Sequence, residues 1–158
     1  MSRAAAEALR PQRWFTLVEI VLIFAIVAVL LTLALTTYQG YRDRLKLNEA
    51  VTDIVAMSVT ITEFKAHYKR LPTDLAEVGK STMLDPWGNP YLYVNHATEP
   101  QGHWRKDKNI HPINSDFDLS SAGRDGQSQS QLNAAKSRDD ILRANDGVFV
   151  GLASVYDP

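Results

Sequence analysis

From Phe15 to Leu35 the chain reads FTLVEIVLIFAIVAVLLTLAL, a run in which every position is apolar or threonine except Glu19. About 21 residues at ~1.5 Å each make a helix of roughly 30 Å, the thickness of a bilayer's hydrocarbon core. The run therefore predicts a transmembrane helix. Beyond it the apolar positions thin into a periodic stripe. Leu47, Val51, Ile54, Ser58, Ile61, Phe64, Tyr68 and Leu71 recur at spacings of three and four, with Val55 and Thr62 beside them, while Lys46, Asp53 and Lys65 fall elsewhere. No proline and only Gly40 interrupts Phe15 to Lys69. The pattern predicts one helix of about 55 residues, roughly 80 Å long, half apolar all round and half amphipathic.

After Pro72 the period changes. Asp74 with Glu77 forms a capping-box pattern for a short second helix stopping at Gly79. Asp85 to Pro90, DPWGNP, is dense in turn formers and leads into a first strand at Tyr91 to Val94. Phe117, Leu119 and Ser121 alternate with Asp116, Asp118 and Ser120 as a second strand, and Gly147 to Val155 has the composition of a third. The polar, low-complexity stretch Gln127 to Lys136 reads as a loop. The fold class that follows is α+β: a long N-terminal helix packed on a small antiparallel sheet of about three strands, since neither can bury its apolar face alone.

Composition narrows the chemistry. The 158 residues contain no cysteine, which excludes a disulfide staple, a thiolate metal site and a cysteine nucleophile. The net charge of −1 hides an asymmetry, about +2 over residues 1–14 and about −3 over the rest. Positive flanks favour the cytoplasmic side, so residues 1–14 read as a cytoplasmic leader and the body lies across the membrane. Tyr38 and Tyr41 sit at the expected membrane boundary. No nucleophile with its base, paired-carboxylate cleft or phosphate loop is visible, so catalysis is not expected. His67, His96, His103 and His111 lack a compact zinc spacing. Trp104, Arg105, Lys106 and Lys108 form a short aromatic and basic patch that reads as a solvated loop, and no nucleic-acid partner is expected of an acidic body. Trp87, between prolines, reads as a packing anchor.

Glu19 is the residue that asks for a reason. A carboxylate costs on the order of 3 kcal/mol at the bilayer centre and less near an interface, so it needs a shallow depth or a partner. A basic leader followed by FTLVEIVLIFAIVAVLL, with glutamate four residues after the phenylalanine, resembles the class III signal of type IV pilins and pseudopilins. The segments DPWGNPYLY (Asp85 to Tyr93), DLSSAGRDG (Asp118 to Gly126) and SRDDI (Ser137 to Ile141) narrow the resemblance to the major pseudopilins of type II secretion systems. A type IV pilus or competence pilin, serving adhesion, motility or DNA uptake, is the alternative, and a membrane-tethered enzyme the remote one.

The resemblance implies the following layout: residues 1–14 a cytoplasmic leader, 15–37 a transmembrane and assembly helix, 38–70 an amphipathic spine helix, and 71–158 a periplasmic head with an acidic C-terminal loop. It implies a single-pass protein of the bacterial inner membrane, cut by a prepilin peptidase between Trp14 and Phe15 and N-methylated at Phe15. Copies of the chain then leave the lipid to form a helical homopolymer, a short periplasmic fibre driving export of folded proteins, with minor pseudopilins and the inner-membrane assembly platform as further partners. Glu19 would pair with the freed amine of a neighbouring Phe15. Trp14 stands where the family carries glycine, a bulky side chain that predicts slow or absent cleavage. Thr36 and Ala28 stand where relatives carry proline and glycine, which predicts a straighter span.

Asp125, Asp139 and Asp140 present hard oxygen ligands of the kind that suit calcium, although their spacing is not that of an EF-hand and surface aspartates in turns are usually solvated turn formers. The resemblance reverses that reading. It implies one structural calcium held by Asp125, Asp139 and Asp140, with Ser121 and the Leu119 carbonyl as weaker candidates.

Overall fold

The computed structural model describes residues 16–158. The chain divides into two compact units, one ending at Tyr41 and the other running from Arg42 to Pro158. Helix α1 (Leu17–Tyr68, 52 residues) supplies the first unit and opens the second.

In the first unit, α1 is apolar on every side, with a mean hydropathy of 3.0 over its most apolar window. Among the described residues it is the one helix long and apolar enough to cross a bilayer. Leu17, Phe24, Val29 and Leu35 are all exposed, each at 60% or more. Two hydroxyls of this unit are satisfied by the helix itself: Thr32 donates to the Ala28 carbonyl at 2.9 Å and Thr37 to that of Leu33 at 3.0 Å. Such internal bonding suits a segment with no water to bond. The helix continues through positions 28 and 36 without a break.

In the second unit, α1 packs against a four-stranded antiparallel sheet, one strand more than the pattern suggested. The strands are β1 (Leu92–Asn95), β2 (Phe117–Ser121), β3 (Ile141–Ala144) and β4 (Phe149–Leu152), in the order β1-β2-β3-β4. Tyr93 faces Leu119, Ser120 faces Leu142, and Leu142 faces Gly151 across the three ladders. A four-residue helix, α2 (Ala153–Tyr156), follows β4 inside the segment expected to be all strand. The unforeseen strand is β3, which begins at the last residue of the SRDDI segment. Its charged Arg143 is buried because the guanidinium lies 3.9 Å over the Phe117 ring and pairs with Asp116 at 2.8 Å.

All five residues of β2 are buried, because both faces of the sheet are covered. On one face Phe117, Leu119 and Ile141 meet Ala50, Ile54, Met57 and Ile61 of α1, with Leu75 and Tyr91 completing the cluster. Each large side chain fully buried here contributes about 1.5–3 kcal/mol. The stripe on α1 shares Ile54 and Ile61 with the expected one, and Val51 and Leu71 pack partly buried against the same cluster, but it is rotated: small Ala50 and unbranched Met57 take the contact, while Val55 and Tyr68 stay exposed at 45% and 58%. On the other face Leu142, Ala144, Ile113, Leu132 and Ala153 form a second cluster under the long connections.

Helix α1 stops at Tyr68, one residue before Lys69 at φ 57 and four before Pro72. Capping chemistry is present at Asp74 and Glu77, with Asp74 Oδ1 accepting from the Ala76 and Glu77 amides and Glu77 Oε2 from the Thr73 amide. It closes a series of turns, however, rather than the expected helix. These carboxylates are spent on bonds within a segment too short to propagate helix.

Candidate functional site

Two places in the chain carry the candidate chemistry, and each lies within one unit. The first is the start of α1. Trp14 and Phe15, the expected cleavage and methylation positions, lie outside the described residues. Thr16 precedes the first helical residue, and its hydroxyl accepts the Glu19 amide at 3.2 Å. Thr16-Leu17-Val18-Glu19 thus has the spacing of a capping box, Thr16 as N-cap and Glu19 at the third helical position. The signal was present in the residues and was overlooked because the threonine lay inside an apolar run. The Glu19 side chain is exposed. It sits in the first turn, where the positive end of the helix dipole favours a negative charge. The carboxylate is thus compatible with its own helix while remaining open to a partner.

The second place is the connection between β2 and β3, residues 122–140. Its start is held by the DPWGNP turn, and Gly123 lies close against Asp139 near its end. Asp85 Oδ1 accepts the amides of Trp87 and Asn89, and its Oδ2 accepts the Ser121 hydroxyl at 2.5 Å. The Asn89 amide group reaches the Gly123 carbonyl at 3.0 Å. Gly123 adopts φ 64, and a Cβ there would collide with the Asp139 carbonyl, so the position requires glycine. Trp87 packs on the first core cluster, as an anchor should.

The structure brings the Asp139 carboxylate to the Asp125 backbone and commits Asp140 to Arg105 and Ser128. Asp139 Oδ2 accepts the amides of Arg124 and Asp125, at 2.9 and 3.1 Å. Asp125 Oδ1 caps its own turn through the Gln127 amide. Asp140, the neighbour of Asp139, enters β3 fully buried, and its Oδ2 lies 2.5 Å from Arg105 Nη2 and 2.7 Å from Ser128 Oγ. Burial pushes the Asp140 carboxyl above the usual carboxylate range, while Arg105 and Ser128 pull against it. The Ser121 hydroxyl is committed to Asp85 and the Gly123 amide. Leu119 is paired in the β1–β2 ladder opposite Tyr93. Among the described residues, no group of three acidic, histidine or cysteine side chains is placed to hold a metal ion. Asp140 Oδ2 is already engaged by the Arg105 guanidinium and the Ser128 hydroxyl.

The Trp104 to Lys108 segment is not the solvated basic loop its composition suggested. Trp104 stacks on His96 with ring centres 4.0 Å apart, and Arg105 is 5% exposed. Asp118, buried in β2, gathers this segment: it accepts the Arg105 amide at 2.7 Å and the Asn114 side chain at 2.9 Å, and lies 2.9 Å from His96 Nε2. His103 and His111 pair separately with Glu99 and Asp107.

The chain is 31% identical to the type II secretion system core protein G of Escherichia coli K12 over 137 aligned residues, covering 73% of this chain and 84% of that protein. The protein of the same name from Klebsiella pneumoniae is 30% identical over 117 residues and is covered to 79%. A fimbrial protein of Neisseria meningitidis serogroup A is 30% identical over 74 residues, a match confined to 47% of this chain and 44% of that one. No family model matches the chain, and no solved structure matches it significantly. The core proteins match through the head as well as the helix, whereas the fimbrial match spans less than half of either chain. On that basis the chain belongs to the family of type II secretion system core protein G and is a pseudopilin.

Proposed function

We propose that copies of this chain polymerise through the apolar part of α1 into a periplasmic fibre that drives folded proteins out of a type II secretion system. The reading assigns assembly rather than catalysis to the chain. It places the leader in the cytoplasm and the head in the periplasm, with minor pseudopilins, the inner-membrane platform and the prepilin peptidase as partners. The observation that carries it is Glu19: one exposed carboxylate in the first turn of a helix whose following residues, through Leu35, are apolar or threonine on every side. In a fibre core with little water an ionised carboxylate needs a counter-charge. The amine of a neighbouring Phe15, released by the peptidase, supplies it and sets the stagger between copies.

The test uses the absence of cysteine, which gives engineered single cysteines a clean background. A cysteine placed at an exposed position of the apolar run should give cross-linked ladders in cells carrying the secretion system. Glu19→Gln should abolish the ladders and export of the secreted proteins while leaving the membrane level of the subunit unchanged. Ladders that persist in the variant would refute the role of Glu19. Fibres found on the cell surface, with export unaffected by deletion of the chain, would favour the pilus reading.

A further inference from the structure

The deepest charge cluster of the head lies in the connection between β2 and β3, and its members come from distant parts of the chain. Arg105 is fixed first by its backbone: its amide donates to Asp118 Oδ2 at 2.7 Å, and its carbonyl accepts the Ile113 amide at 3.1 Å. From that footing the guanidinium reaches across into residues 122–140. Nη2 meets Asp140 Oδ2 at 2.5 Å, and Nη1 donates to the Ser128 hydroxyl and, at 3.1 Å, to the Gln129 carbonyl. Ser128 also donates to Asp140 Oδ2, so carboxylate, hydroxyl and guanidinium close a triangle. Neighbouring backbone bonds from Lys106 to Ser130 and from Leu132 to Lys106 lay the two connections side by side.

The oxygens gathered here are a carboxylate, a hydroxyl and a backbone carbonyl. That is the hard-oxygen set a calcium ion takes from a protein loop. In this head the charge at their centre is a guanidinium, whose planar fork suits two-point contact with such oxygens. The side chains of Arg105 and Asp140 are 6% and 0% exposed, so the pair is screened little by solvent and its charges balance. A divalent cation added beside it would meet a like charge at close range, and would compete with the backbone amides for Asp139 Oδ2 and Asp125 Oδ1.

We propose that Arg105 is the resident cation of the C-terminal loop, binding Asp140, Ser128 and the Gln129 carbonyl in place of a calcium ion, so that the head folds without calcium. The inference concerns the head alone and stands whether or not the chain polymerises. One oxygen, Asp140 Oδ1, is buried without a partner, and it is the atom at which a bound metal would show itself.

The decisive measurement is the thermal midpoint of the full chain in detergent, in millimolar calcium and in chelator. The two midpoints should coincide. A site filled at about a hundredfold over its dissociation constant would raise the midpoint by several degrees, and such a rise in the wild type would overturn the proposal. Arg105→Gln and Asp140→Asn should each lower the midpoint, and the double variant should lose much less than the two losses added together. Additive losses would refute the pairing. Should either variant fail to fold, the wild-type comparison in calcium and chelator still decides the matter.

Discussion

Alanine substitution at two glycines isolates how tightly the β2–β3 connection closes on itself. Gly79 and Gly123 have nearly the same backbone, φ 68 and φ 64, so alanine is strained to the same degree at both. That strain costs about 1–2 kcal/mol, offset by about 0.4–1 kcal/mol from the reduced freedom of the unfolded chain. Gly79→Ala should therefore cost about 1 kcal/mol, because a Cβ there would meet nothing within 4 Å. At Gly123 the same atom would collide with the Asp139 carbonyl, which is backbone and cannot rotate away. Forcing extra volume into such a site adds about 1–3 kcal/mol, so Gly123→Ala should cost about 2–4 kcal/mol in all. With a urea dependence of about 1–3 kcal/mol per molar, the two variants should differ by roughly 1 M in midpoint. The assay is a urea titration of the full chain in detergent, followed by fluorescence, since Trp87 and Trp104 both lie in the head. Equal midpoints for the two variants would show that the connection is not closed against Asp139 and would refute the reasoning.

Other consequences are open to test. Ile54→Ala, at a fully buried position facing the sheet, should cost about 2–5 kcal/mol, whereas Val55→Ala, at 45% exposure, should fall within about 0.5 kcal/mol of wild type; the reverse order would place the sheet on the wrong side of α1. The Asp146 carboxyl is held below its usual range, first by the Ser115 amide and also by the Ser115 hydroxyl. A depressed folded value means stabilisation that is present above the unfolded value and lost as pH falls through the folded one, so the head should weaken below about pH 4. Asp146→Asn retains an acceptor and tolerates φ 55, and its stability should vary less over that acid range; an unchanged pH profile would remove Asp146 from the account. Trp14→Gly should raise the fraction of chain whose intact mass begins at Phe15 in cells with the native peptidase, and an equal fraction in both would mean that Trp14 is no obstacle.

Helix α1 was legible because its signals are local: an unbroken apolar run, then a stripe at spacings of three and four with no proline. Strand β2 was legible by its alternation. Strand β3 was not, since Asp139 and Asp140 precede it and Arg143 lies within it, and charges of that density read as surface. Asp140 and Arg143 are buried because partners far along the chain neutralise them, Arg105 for Asp140 and Asp116 for Arg143. The same cause hid the centre of the C-terminal loop: Arg105 and Asp140 are 35 residues apart, and no periodicity links them. The rotation of the α1 stripe toward Ala50 and Met57 escaped notice for a different reason. Small and unbranched side chains carry little weight in a hydrophobic pattern, yet they let a helix lie close on a sheet.

The apolar run of α1, with side chains exposed all round and threonine hydroxyls folded back on its own carbonyls, is close to a smooth greased rod. Packed among identical rods it can gain dispersion energy on every side, with no polar group after Glu19 other than threonine to favour one rotation. Such a surface lubricates better than it locks. Positional information in an assembly built from it must come from elsewhere, from Glu19 at one end and from the heads. Copies can then move past one another at low cost while the apolar packing that holds them together is kept.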